Sequence, residues 1–295
     1  MHATSSPQGL LLIAAATLFW SLSGMFVRWL PGVDPWTFNA YRGLGMGLSL
    51  ALWIGLRYGR GSVALFRRSP PQALLLSAGF FALGSSLYIA ALGLASVAAV
   101  SCLTSTSGLF AALMARLWLG ERTQSVFYYA MALALAGVAV IALGESEGAG
   151  AGQAAVQGLA GTLVALGVAV CFAGQSVALR RYREVDMEPA LLLGGMATFV
   201  LVVGAGLLAP LPAQSVAILL FMGLVQLAIP LLFYMHGART VSTAHMVLIT
   251  MADAVLNPLW VWLVHGEVPA TAVYGGGALV LAGIALTTWG GPRRA

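Results

Sequence analysis

The chain has 295 residues, 60% of them hydrophobic and 8% charged, with a net charge of +5 and a mean hydropathy of +0.93. Soluble domains carry about 25% charged residues, so this composition excludes a soluble globular fold: too few charges are available to wet its surface. The pI near 9.6 does not signal nucleic acid, because the basic residues are spread over several short connections and form no single patch.

Ten apolar segments are long enough to cross a hydrocarbon core of about 30 Å. They run Gly9 to Trp29, Thr37 to Arg57, Gln72 to Gly93, Val97 to Trp118, Ser125 to Leu143, Gln157 to Leu179, Glu188 to Leu208, Gln214 to His236, Ser242 to Val264 and Thr271 to Trp289. Backbone groups in hydrocarbon must bond within their own segment, and the short alternating strands of a barrel are absent, so each segment is expected to be a helix. The expected fold class is an all-α membrane protein of ten transmembrane helices. No basic n-region or cleavage signature precedes the first span, which is expected to be retained.

Helical faces repeat at i, i+3, i+4 and i+7. On the first span Thr17, Trp20, Ser21, Gly24 and Arg28 share a face, and Trp20 sits at mid-depth. The third span aligns Ser77, Phe81, Gly84, Ser85 and Tyr88, and the fourth carries SCLTSTSG, with Ser101, Thr104, Ser105 and Gly108 in one stripe. The fifth and tenth hold almost no polar residue at mid-depth and are expected outside, as scaffold or as a homodimer contact. Cys171, Phe172 and Gln175 mark the sixth span, and Gln226, Pro230 and Tyr234 the eighth. On the ninth, Asp253 shares its side with Ser242, Thr250, Asn257 and Trp260. Polar side chains in a bilayer face protein or water, so the stripes are expected to converge on a central cavity. For any single Ser, Thr or Gly, close helix packing is the more ordinary explanation; the cavity rests on the pattern.

Every one of the 14 basic residues is arginine. Arg57, Arg60, Arg67, Arg68, Arg116, Arg122, Arg180, Arg181, Arg183, Arg239, Arg293 and Arg294 fall on one side, whereas the opposite loops hold Asp34, Glu145, Glu147 and Glu267, with Arg28 and Arg42 near that face. The positive-inside rule then puts both termini in the cytoplasm. Trp29, Trp36, Trp53, Trp118, Trp260, Trp262 and Trp289 lie near span ends, as an interfacial belt should. Cys102 and Cys171 fall inside spans, where a structural disulfide is not expected.

The halves repeat. A shift of 146 positions sets Gly120, Glu121 on Gly266, Glu267, and Tyr88 on Tyr234; a shift of 152 sets Arg28 on Arg180 and Trp20 on Phe172. Residues 1–148 and 149–295 are expected to be two five-helix repeats, the second inverted because five is odd, as in many secondary transporters. Inversion would place Tyr88 near the outer end and Tyr234 near the inner end, as paired gates or as interfacial anchors.

Within LITMADAVLNPLWVWL, Leu248 to Leu263, an acid stands in an apolar run. A charged Asp at mid-bilayer is disfavoured by about 2.5 to 3.5 kcal/mol on insertion scales. Asp253 therefore has three open roles: proton carrier, ligand for an ammonium group, or structural hydrogen-bond hub. Pro258 cannot donate to the Ala254 carbonyl, which predicts a kink there, usable as a hinge or ion site; Pro230 is a second candidate hinge.

An intramembrane enzyme has little support. The four His residues show no metal spacing, Asp253 is the only mid-span acid, no Ser-His pair shares a face, and no Walker A pattern occurs. No metal, cofactor or nucleic-acid partner is expected. A passive channel needs the same polar lumen and stays open as an alternative.

These residues resemble the EamA-type members of the drug/metabolite transporter superfamily. The likeness lies in the five-plus-five spans, Trp20 with Ser21, Pro35 followed by Arg42, the Gly-Glu pairs, and Pro258 before the second of them. Within the superfamily the chain looks most like amino-acid exporters, including the aromatic branch. The resemblance implies a basket of spans one to four and six to nine around the substrate, with five and ten peripheral, and export from a bacterial inner membrane. Ala112 stands where the first repeat would have its proline, the seventh span has no arginine matching Arg42, and the first span lacks the glutamate of related proton-driven exporters. Trp20, Phe81, Tyr88 and Phe172 offer aromatic contacts, while Ser21, Ser85, Ser101, Thr104, Ser105, Gln175, Gln226, Tyr234, Thr250, Asp253 and Asn257 offer polar ones. The guest expected is a small zwitterion with an apolar side chain. Other metabolites or drugs of the same superfamily are the alternative cargo; phosphorylated sugars are not expected, on the expectation that no Arg or Lys lies at mid-depth.

Overall fold

The computed structural model describes residues 6–120, 125–148, 153–182, 185–238, 240–241, 249–250 and 252–289. Glu121, Arg122, Arg183, Arg239, Ser242, Arg293 and Arg294 lie outside them. Among the described residues the secondary structure is helical, with no strand.

Helix α1 (Pro7–Ser21) starts where the Ser6 hydroxyl accepts the Gly9 N–H and Pro7 takes the first helical position, which has no donor to lose. After a break at Leu22, α2 (Ser23–Trp29) follows. Helix α3 (Pro35–Tyr58) opens in the same way, with Asp34 accepting from the Thr37 N–H. Next come the short α4 (Ser62–Arg68), α5 (Pro71–Leu94), α6 (Val97–Thr104), α7 (Ser107–Leu119) and α8 (Ser125–Gly148). The second half holds α9 (Gln153–Arg181), α10 (Glu188–Gly204), α11 (Ala213–Met222), a π-helical stretch Gly223–Ala228, α12 (Ile229–Ala238), α13 (Asp253–His265) and α14 (Thr271–Trp289).

These helices fall on the apolar segments read from the sequence. Five stretches, Pro7–Trp29, Pro71–Leu94, Val97–Trp118, Gly158–Leu179 and Ala213–Gly237, are long and apolar enough to cross a bilayer on their own. The difference lies in continuity. The first, fourth and eighth segments are each interrupted, at Leu22, at Ser105–Thr106 and in the π-helical stretch. The TSTS run explains the fourth: Thr104 and Ser105 donate to the Ser101 carbonyl and Thr106 to that of Leu103, drawing these carbonyls into local side-chain bonds. In the ninth segment the helix runs through Pro258, and the turn sits upstream, where the Ala252 N–H bonds to the Ile249 carbonyl. Asp253 thus opens a half-helix, as Ser107 does 146 positions earlier.

The Gly-Glu pairs have a backbone cause. Gly120 and Gly266 both adopt φ of +69°, the left-handed conformation that closes α7 and α13 and suits glycine.

The two register shifts reappear as contacts. Gly43 and Gly195, 152 positions apart, face each other: a Cβ on either would stand 2.9 or 2.7 Å from the other's carbonyl oxygen. Gly137 packs on Val280 and Gly283 on Ala134, the same contact moved by 146. Around them α1 lies along α12, α5 along α9, α3 along α10 and α8 along α14. Helices α8 and α14, the fifth and tenth segments, bury their small residues against each other: a Cβ on Gly276 would meet the Gly137 carbonyl oxygen at 2.6 Å, and one on Gly283 that of Ala130 at 2.7 Å. Their outer sides expose Leu135, Leu143 and Tyr274.

Candidate functional site

The interrupted helices meet α3, α5 and α9 in the interior. One polar group joins α2, α5 and α13. The Tyr88 hydroxyl lies 2.6 Å from Ser23 Oγ, and Asn257 Nδ2 donates to both, at 3.0 and 3.1 Å. Asn257 Oδ1 accepts the Gly24 N–H at 3.0 Å. Leu22 offers no side-chain cap to α2, so Asn257 supplies one from a different helix. At the same end Arg28 and Glu267 form a two-armed ion pair of 2.9 and 3.2 Å, about a third exposed.

The aromatic residues form two matching pairs. Trp20 lies against Tyr234 with centroids 5.4 Å apart, and Tyr88 against Phe172 at 6.5 Å. The sequence shifts convert one pair into the other. The polar surroundings do not follow: Gln175 stands at the position of Ser23 and donates to Ser77 at 2.9 Å, and Ala111 stands at that of Asn257.

The remaining predicted residues are dispersed. Ser21 is buried and accepts from the Trp260 indole at 3.0 Å, so this tryptophan turns its N–H inward. Phe81 packs on Gly194 and the cluster of Met46, Leu50, Leu191 and Ala228. Thr104 and Ser105 spend their protons on their own helix, while Ser101 Oγ is buried without a partner. Thr250 and Asp253 flank the turn before α13, and Asp253 Oδ1 is buried without a partner. Pro230 is buried just after the π-helical stretch.

Sequence reading missed one group. Arg42, assigned there to the membrane face, is 2% exposed, and its side chain enters the bundle. Its Nη2 donates to Asn39 Oδ1 and Ser85 Oγ, both at 3.1 Å, and its Nη1 to Gln226 Oε1 at 3.4 Å. The Asn39, Arg42 spacing of one helical turn was the available signal. Arg42 thus puts a guanidinium into the bundle interior, which its reading near the membrane face did not give. Among the described residues the ion pairs are Arg28–Glu267 and Arg57–Glu188, so no described carboxylate answers Arg42. Among the described residues six side chains keep a buried atom unpaired: Arg42 Nε and Gln226 Nε2 as donors, Asp253 Oδ1, Gln175 Oε1 and Glu188 Oε2 as acceptors, and the Ser101 hydroxyl.

The sequence profile of the EamA-like transporter family matches residues 7–143 and again 159–289. The chain belongs to the EamA-like transporter family. It is accordingly a multi-pass membrane transporter of the drug/metabolite superfamily, built from two repeats, in a family of transporters and not of enzymes. A crystal structure described only as that of a protein superposes with a TM-score of 0.69 over 97% of both chains at 24% identity, which shows the shared fold. No curated protein matches the sequence.

Proposed function

We propose that this EamA-type transporter exports amino acids, apolar or aromatic ones and related small zwitterions, across a bacterial inner membrane by alternating access. Ten transmembrane helices form an inverted five-plus-five repeat with both termini cytoplasmic. The observation that carries the reading is the set of unpaired interior atoms. Buried polar groups are normally bonded, and here donors and acceptors are both left over beside two aromatic pairs. A zwitterion with an apolar side chain supplies what each lacks. The site is Trp20, Tyr88, Phe172 and Tyr234 for the side chain, with Gln175, Gln226, Asp253 and Asn257 around the polar end. Tyr88 and Tyr234 act as the two gates, and the helices rehinge at the turn before Asp253 and at the π-helical stretch before Pro230.

The test is counterflow of labelled phenylalanine, methionine and threonine into proteoliposomes, with and without a pH gradient. Saturable counterflow indifferent to the gradient establishes a facilitative carrier, and gradient-driven accumulation makes Asp253 the proton site. No counterflow of any of the three refutes amino-acid export.

A further inference from the structure

The Arg42 guanidinium lies over the Phe38 ring at 5.9 Å, but no described carboxylate answers its charge, and the second repeat does without it. Positions equivalent to Asn39, Arg42 and Ser85 in the second repeat are Leu191, Gly194 and Leu231, and Phe80 stands in the first repeat where Gln226 stands in the second. The same helix crossings are thus made with apolar residues in one half and a guanidinium in the other. A buried cation is disfavoured unless paired, yet Asn39, Ser85 and Gln226 offer it only neutral oxygens. Two donors here have no partner, Arg42 Nε and Gln226 Nε2, both from side chains at most 2% exposed.

Local backbone geometry brings them together. Gly223 rests against the Arg42 carbonyl with no room for a Cβ, which lets the π-helical stretch approach α3 and sets Gln226 beside the guanidinium. Such stretches concentrate at functional sites. On α5, Ser85, which accepts from Arg42, and Tyr88, which accepts from Asn257, stand one turn apart, and Asp253 with its unpaired Oδ1 stands one turn before Asn257 on α13.

We propose that Arg42 and Gln226 form the subsite for the carboxylate of the transported amino acid. The proposal rests on the amino-acid reading above. The carboxylate accepts one charge-assisted hydrogen bond from Arg42 Nε and a second bond from the Gln226 amide N–H, as Gln226 gives up its long Oε1 contact to Nη1. Asn39 and Ser85 hold the guanidinium from its other nitrogen, Nη2, and Asp253 faces the ammonium end.

The experiment measures binding of 3-phenylpropionate, which has the carboxylate alone, and 2-phenylethylamine, which has the ammonium alone, to the purified full chain. Thermal shift reads binding, and inhibition of phenylalanine counterflow reads competition. Wild type binds 3-phenylpropionate, and Arg42→Gln weakens it about tenfold or more with 2-phenylethylamine unchanged. Gln226→Glu separates binding from folding. It puts a carboxylate where Oε1 already lies 3.4 Å from Nη1, so its unfolding temperature is no lower than wild type while 3-phenylpropionate binding is lost. Wild type that ignores 3-phenylpropionate, or a Gln226→Glu chain that binds it as well as wild type, overturns the subsite. Arg42-dependent binding of 3-phenylpropionate without phenylalanine counterflow keeps the subsite and refutes the amino-acid reading in favour of another organic anion. Phenylalanine counterflow untouched by either substitution does the reverse.

Discussion

Replacing Asn257 with alanine removes three hydrogen bonds that tie α13 to α2 and α5. Hydrogen bonds between helices in a bilayer contribute about 0.6 kcal/mol on average and up to about 1.7, so three contribute about 2 kcal/mol. The Gly24 N–H sits at the start of α2 with no other acceptor among the described residues, and leaving it buried adds about 1 kcal/mol. Asn257→Ala is therefore expected to lower stability by about 3 kcal/mol. The assay is reversible unfolding by dodecyl sulfate titration in mixed micelles, run for Asn257→Ala, Tyr88→Phe and the double variant. Tyr88→Phe should cost about 1 kcal/mol alone. It should cost less in the Asn257→Ala background, where only the Ser23 bond is left to lose, giving a coupling of about 0.6 kcal/mol. A loss below about 1 kcal/mol for Asn257→Ala, or strictly additive costs, would refute the idea that Asn257 fastens the two repeats.

Gly276→Val forces a methyl group onto the Gly137 carbonyl and should cost about 2 kcal/mol in the same titration, while counterflow per folded molecule is retained because α8 and α14 lie away from the polar groups. Glu267→Gln breaks an ion pair that is about a third exposed, so its cost should stay under about 1 kcal/mol and shrink further in high salt. Trp20→Ala removes the ring that packs on Tyr234 and should reduce phenylalanine counterflow more than threonine counterflow; equal losses would count against a binding role.

The helices were legible because hydrophobicity over about 19 residues needs no partner to be read, and the repeat because Gly120 and Gly266 answer to a local backbone demand. The breaks were not. Hydropathy averages over the TSTS run, whose effect comes from hydroxyls bonding their own carbonyls, and it averages equally over the turn before Asp253. Placing Arg42 failed for a related reason: its position near the start of α3 suggests a membrane face, and only the approach of the π-helical stretch shows that the side chain goes inward. Stripe membership singled out both Tyr88 and Asn257, which the structure joins by a hydrogen bond. It could not separate them from Phe81 or Thr104, whose partners are set by apolar packing and by the helix break.

The matched aromatic pairs differ in one respect that bears on energetics. Tyr88 is fastened by Ser23 and Asn257, whereas Gln175 and Ala111 occupy the equivalent places around Tyr234. On the inverted arrangement proposed above, one mouth of the carrier has a bolt and the other has none. About 2 kcal/mol of extra closure corresponds to a resting imbalance of about thirtyfold between the two facings. Such an imbalance decides which compartment the empty carrier waits toward, and therefore its apparent affinity on each side. It does no work on the cargo: with no second gradient coupled to it, the same protein must still run to equal chemical potential on both sides.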